Sequence, residues 1–194
     1  MKNIIKWIIV AALLVGIIVG ATVLYEKLSD EYSGQNVTNT PEKDAGENEF
    51  AAPDFEVFDE NGNKVKLSDF KGKPIVLNFW ATWCYYCKVE MPDFDKAFKN
   101  YPEVQFLMVN ATDGDRETME KAKEYVEKEG YSFKCLYDTN LDAVSSYYIT
   151  SFPSTFFIDK NGNLVTRGSG ALDYKSLERG ISMITGDNDD NTSY

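Results

Sequence analysis

Pro74-Ile75-Val76-Leu77-Asn78-Phe79-Trp80-Ala81-Thr82-Trp83-Cys84-Tyr85-Tyr86-Cys87-Lys88 is the stretch on which the fold turns. Its first half is a near-continuous apolar run, the pattern of a strand buried on both faces of a sheet. Its second half sets two thiols with two residues between them, where that strand gives way to a helix. Backbone N–H groups left open at a helix N-terminus, together with the helix dipole, stabilise a thiolate there. The thiolate is the species that attacks a disulfide. The spacing therefore points to a small reversible disulfide and to thiol–disulfide exchange.

Composition removes most rival chemistries. The chain has 194 residues, three cysteines, no histidine and a formal charge of −11. Without histidine there is no Cys-His or Ser-His pair and no His-ligated metal or haem. Structural zinc needs four ligands, and beyond the pair the chain offers only Cys135 and carboxylates, so no metal is expected. Covalent haem attachment wants histidine directly after the second cysteine, and Lys88 stands there. A disulfide closing so short a loop constrains the unfolded chain little, which leaves stability a weak reason for the pair. The acidic balance argues against nucleic acid as a partner, because phosphate binding needs a basic face.

Outward from that stretch, the chain divides into segments. Residues 1–6 carry Lys2 and Lys6, and Trp7 to Tyr25 holds no charged side chain. That run is long enough to read as a transmembrane anchor rather than a cleaved signal. The lysines put the N-terminus in the cytoplasm and the rest outside, a single-pass arrangement at the cell membrane. Residues 26–50 are acidic and aperiodic and read as a flexible linker. Residues 51–186 form the expected domain, and 187–194 an acidic tail.

Within the domain, Phe55–Phe58 and Lys64–Leu67 flank an Asn61-Gly62 turn and predict a hairpin. The helix opened by the cysteine pair reaches about Asn100, with Pro92 expected to kink it. Val104–Asn110 is a second buried strand. Residues 115–129 predict a charged amphipathic helix closed by Gly130. Strands near 133–137 and 155–159 bracket a short helix from about 140 to 148. Asn161-Gly162 turns a hairpin into a strand over 164–168, and Asp173 caps a last helix to about Thr185. Strands alternating with helices predict an α/β sheet covered on both sides.

This order resembles the thioredoxin fold, with a central mixed sheet flanked by helices and an added N-terminal β-hairpin. More narrowly, it resembles the membrane-anchored, extracytoplasmic TlpA/ResA branch of that superfamily. The shared pieces are the anchor, Ala52-Pro53-Asp54-Phe55, Leu67-Ser68-Asp69-Phe70-Lys71-Gly72-Lys73, Asn78-Phe79-Trp80-Ala81-Thr82-Trp83-Cys84, and Phe152-Pro153-Ser154-Thr155-Phe156-Phe157-Ile158-Asp159. Together they cover about residues 51–186.

The resemblance implies roles. Cys84 is the attacking thiol, exposed at the helix N-terminus, and Cys87 resolves the mixed disulfide. Pro153 matches a cis-proline that faces the pair and presents backbone to a substrate strand. Trp83, Tyr85, Tyr86 and Phe152 join Pro153 as substrate contacts. Glu90 matches a glutamate of the ResA-like branch. Three residues after Cys87, it shares that helical face, where it would relay the proton of Cys87 with its pKa raised by partial burial. Asn78 occupies the place of the buried aspartate of cytoplasmic thioredoxins, which favours Glu90 for the acid/base role. Beyond the redox-active Cys84–Cys87 disulfide, no cofactor is implied.

The implied activity is reduction of disulfides in exported proteins, among them apocytochrome c or a methionine sulfoxide reductase. Electrons would come from a membrane donor of the CcdA/DsbD type. Two departures bear on this. Tyr85-Tyr86 replaces the Gly-Pro of thioredoxins, so neither thiolate pKa nor potential carries over, and Phe152 is bulkier than the usual residue before the proline. A disulfide-forming oxidase of the same fold is the alternative. A peroxiredoxin-type peroxidase is a further one, although its Pro-x-x-x-Thr-x-x-Cys pattern is missing from Leu77 to Cys84. Cys135 is expected to be a buried small hydrophobe.

Overall fold

The computed structural model describes residues 50–186. The anchor proposed at 7–25, the segments 1–6 and 187–194, and all but the last residue of the 26–50 linker lie outside them. Among the described residues no helix is long and apolar enough to cross a membrane.

Seven strands form one mixed sheet. They are β1 (Glu56–Phe58), β2 (Lys64–Lys66), β3 (Ile75–Trp80), β4 (Gln105–Asn110), β5 (Cys135–Tyr137), β6 (Ser154–Ile158) and β7 (Leu164–Ser169), in the order β2-β1-β5-β4-β3-β6-β7. The helices are α1 (Tyr85–Asn100), α2 (Met119–Glu129), α3 (Asp142–Ser146) and α4 (Tyr174–Thr185), with a 3-10 turn over Leu67–Phe70. β3, β4 and β5 run parallel, while β6 returns antiparallel to β3 and β7 to β6.

β3 is buried at all six positions, and the period of two in a strand sorts its side chains between two cores. Ile75, Leu77 and Phe79 join Val57, Leu67, Tyr147 and Phe156 on one face. Val76 and Trp80 join Met91 and Phe94 of α1 and Leu177 and Ile181 of α4 on the other. Asn78, between Val76 and Trp80, therefore points at α1 from inside an apolar face. Gly180 lets α4 lie close to the sheet: a Cβ there would meet the Phe157 ring at 2.2 Å.

Registers Trp80↔Asn110, Asn110↔Tyr137 and Phe79↔Ser154 bring the C-terminal ends of β3, β4 and β5 and the start of β6 to one edge. In open α/β sheets ligands bind outside that edge. The loops after β3 and β4 and the loop before β6 meet there.

Local chemistry places the boundaries. The helix expected from 115 starts at Met119, because Thr118 caps it by accepting from Lys121 N–H at 3.3 Å. Ahead of that cap, Asp113 Oδ1 accepts from the N–H groups of Asp115 and Glu117 at 2.9 and 2.8 Å. With Gly114 N–H donating to Glu117 C=O at 2.9 Å, these bonds fold 113–117 as a turn. The short helix expected over 140–148 is confined to Asp142–Ser146, with Leu141 and Tyr148 at positive φ on either side. Gly130, at φ 72°, closes α2 by donating to Val126 and Glu127, and α1 continues through Pro92.

Candidate active site

Cys84 is the N-cap of α1, with φ −82° and ψ 111°, and its N–H donates to Ala81 C=O at 3.1 Å in the turn that leaves β3. It is disulfide-bonded to Cys87, the Cα atoms 5.3 Å apart, and its Sγ accepts from Cys87 N–H at 3.1 Å. Only 6% of Cys84 is accessible and none of Cys87. The expected exposure of Cys84 thus holds in rank but not in degree, because the bond and the cap contact draw its sulfur back onto the first turn.

One turn further on, Glu90 is buried, 1% accessible. Its Oε1 accepts from Asn78 Nδ2 at 2.8 Å and its Oε2 from Leu172 N–H at 2.9 Å. Asn78 Nδ2 also donates to Thr155 Oγ1 at 3.1 Å, while its Oδ1 is buried without a hydrogen-bond partner. Burial pushes the Glu90 carboxyl up to about 7, and the bonds from Leu172 and Asn78 only partly oppose it. A solvent-facing helix glutamate would show none of this.

On the outer side the Phe152–Pro153 peptide is cis. Pro153 C=O accepts from Gly170 N–H at 3.0 Å. Phe152 meets Trp83 edge-on, centroids 5.6 Å apart at 87°. Tyr85 and Tyr86, 72% and 62% accessible, contact each other with centroids at 5.4 Å. The structure thus brings together Trp83, Phe152 and Pro153, and sets Tyr85 and Tyr86 outward beside them on the first turn of α1.

Sequence reasoning passed over Arg116 and Glu117. The Arg116 guanidinium lies 3.8 Å from the Trp83 ring centroid, and the fully buried Glu117 bonds Thr82 and Asn110. The turn signals Asp113-Gly114 and Thr118 were the available cue, since they place 116 and 117 in a loop at the end of β4.

Cys135 is 7% accessible on β5, and burial pushes its thiol well above the usual range. Among the described residues no three metal-ligating side chains converge. A surface hollow lined by Leu67, Lys71, Lys73, Ile158 and Asn161 lies at the opposite edge of the sheet and touches none of these groups. A helix N-terminus holding a nearly closed-off disulfide, beside a carboxyl that exchanges its proton near neutrality, can accept or deliver two electrons and move the accompanying proton.

The AhpC/TSA family model matches residues 49–167. Thiol-disulfide oxidoreductase ResA of Bacillus anthracis is 36% identical over 134 residues, 69% of this chain and 76% of that protein. ResA of Bacillus subtilis (strain 168) is 31% identical over 135 residues, 69% of this chain and 73% of that protein. Among solved structures, the pneumococcal exposed lipoprotein thioredoxin Etrx1 from Streptococcus pneumoniae superposes with a TM-score of 0.59 at 30% identity, covering 66% of this chain and 98% of that one. With the cysteine pair, the sheet order and these relatives in agreement, the chain belongs to the thioredoxin-like AhpC/TSA family and is a thiol-disulfide oxidoreductase.

Proposed function

We propose that this protein is a membrane-tethered reductase acting outside the cytoplasmic membrane on disulfides of exported proteins. In the reduced enzyme the Cys84 thiolate attacks one sulfur of a substrate disulfide. A Cys84–substrate bond forms and the other substrate sulfur leaves as a thiolate. The Cys87 thiol, giving its proton to Glu90, then attacks Cys84 Sγ and releases the second substrate thiol. Substrate gains two electrons and the pair ends as the Cys84–Cys87 disulfide. Trp83, Tyr85, Tyr86, Phe152 and Pro153 contact the substrate segment.

The observation that carries the exchange step is the buried Glu90 carboxyl, bonded by Asn78 and Leu172 one turn from Cys87. The uncharged run Trp7–Tyr25 after Lys2 and Lys6 supports the location, as does the likeness to an exposed lipoprotein thioredoxin. Outside the membrane no soluble nicotinamide system can restore the dithiol, so a membrane thiol carrier of the CcdA/DsbD type is the proposed donor. Candidate substrates are apocytochrome c and methionine sulfoxide reductase.

Trapping tests the assignment. Cys87→Ser removes the resolving thiol, so a mixed disulfide should accumulate on Cys84 and identify the substrate. Adducts on Cys135 instead would overturn the roles. The N-cap position of Cys84 favours its thiolate, which pulls the potential toward the oxidising side and is the ground for the oxidase alternative. A potential above about −150 mV would decide for the oxidase.

A further inference from the structure

Arg116 and Glu117 are neighbours in the loop between β4 and α2, and they hold two neighbours in the loop that ends at Cys84. Glu117 is fully buried. Its Oε1 accepts from Thr82 N–H at 2.8 Å and from Asn110 Nδ2 at 2.7 Å, and its Oε2 accepts from the Thr82 hydroxyl at 2.6 Å. The Thr112 hydroxyl donates to Asn110 Oδ1 at 2.8 Å, which fixes the amide so that its Nδ2 faces Glu117. The loop itself is folded onto Asp113 by two backbone N–H donors. Arg116 covers the Trp83 indole, and Trp83 in turn backs Phe152, the residue before Pro153.

A buried carboxyl group is costly unless donors satisfy it, and here they do. Two of the three come from Thr82, two residues before Cys84 and inside the turn that delivers it. The cation–π contact grips the next residue along. One dipeptide thus restrains both the backbone that presents Cys84 and the aromatic wall beside it. Exchange requires the attacking sulfur to approach along the bond being broken, so small displacements of Cys84 are felt directly in rate.

We propose that Glu117 and Arg116 are positioning residues for the exchange reaction. Glu117 fixes the path from β3 to Cys84, and Arg116 fixes the Trp83–Phe152 wall against which a protein substrate lies. Both statements rest on Cys84 being the attacking thiol.

The test uses the full chain in its reduced form with two probes, oxidised glutathione and insulin. Glu117→Ala and Thr82→Val should each slow reduction of both probes roughly tenfold or more, by misplacing the reacting sulfur. Glu117→Gln keeps an acceptor oxygen and the side-chain shape and should recover most of the rate, a rescue that loss of fold alone would not give. Arg116→Met should act mainly on KM for insulin, raising it several-fold. The proposal is overturned if Glu117→Ala and Thr82→Val stay within twofold of wild type while only the melting temperature falls. Should Glu117→Ala fail to fold, the near-isosteric Thr82→Val decides by the same criterion. A wild-type chain inert to both probes would sink the reading of Cys84, and the positioning role with it. An active wild type with indifferent variants sinks the positioning role alone.

Discussion

Glu90→Gln isolates the group proposed to carry the proton, and the structure sets the size of its effect. Glu90 receives no cation: Asn78 of β3 is neutral, and the loop before α4 offers a backbone N–H. Desolvation therefore prevails and lifts the carboxyl from 4.5 to about 7. Between those values the folded chain holds a proton that the unfolded chain has released. The contribution to stability is thus complete below pH 4.5 and disappears as pH rises through 7. At about 1.4 kcal/mol for each pH unit, the loss comes to about 3 kcal/mol. Glutamine has nearly the same shape and cannot ionise, so the variant should gain on wild type by about that amount, most of it between pH 5 and 8.

Denaturant unfolding of the oxidised proteins across that range measures the difference. Infrared spectroscopy checks its origin, through a protonated-carboxyl band lost with a midpoint near 7 in wild type and absent in the variant. Exchange rates should follow, with the inflection near neutrality present in wild type and missing in Glu90→Gln. A stability difference that stays flat with pH, with the band already gone near pH 5, would refute the assignment of Glu90 as the proton carrier.

Cys135→Ala should leave exchange intact and cost on the order of 1 kcal/mol, since the side chain is packed beneath β5 rather than exposed to reagents; rapid alkylation of Cys135 in the native protein at pH 8 would contradict this. Gly180→Ala drives a methyl group into Phe157, itself 2% accessible, and should destabilise by about 2 kcal/mol or more, read as an earlier denaturant midpoint. Asp173→Ala removes the cap that accepts from Ser176 N–H at 2.9 Å and should lower stability by about 1 kcal/mol without changing the exchange rate.

What could be read from the chain was what is local. β3 declares itself by an unbroken apolar run, and the cysteine pair by spacing. Glu90 is legible because a helix places residues three apart on one face, so Cys87 already points to it. The exposed rim at Tyr85-Tyr86 follows from the same helix start. Glu117 was not legible, although it is as buried as any residue at the site. Its partners Thr82 and Asn110 lie 35 and seven positions away, and the chain holds 31 acidic residues with nothing local to single this one out. The charge pattern of 115–129 looks helical throughout, and only the competition between Asp113, Thr118 and the backbone moves the helix start to Met119. A carboxyl group that the charge pattern puts on the face of a helix is instead a buried brace in a loop. The bond from Gly170 N–H to Pro153 C=O was not legible either, because it joins positions seventeen apart across a strand pair that no spacing rule foretells.

The arrangement separates chemistry from recognition along a physical line. The groups proposed to handle the electrons and the proton, Cys87 and Glu90, lie with Met91 on the buried face of α1, the face turned toward Val76 and Trp80 of β3. Altering them disturbs core packing and desolvation together. The groups proposed to meet a partner, Tyr85 and Tyr86, stand mostly in water on the same helix turn, held chiefly by each other. Substitutions of exposed residues away from caps and cores usually change stability by about half a kcal/mol or less. A helix that begins at a cysteine N-cap therefore lets the two residues between the thiols vary at almost no cost to the fold. Trp83 is the exception among the proposed contacts, because both Arg116 and Phe152 pack against it. Variation at Tyr85-Tyr86 should accordingly redirect the enzyme among partners, whereas variation at Trp83 should slow it with all of them. Exchange rates of Tyr85→Ser and Trp83→Ala against oxidised glutathione and insulin separate the two. Equal losses with both probes for Tyr85→Ser would show that the thiol pair and its intervening rings act as one unit.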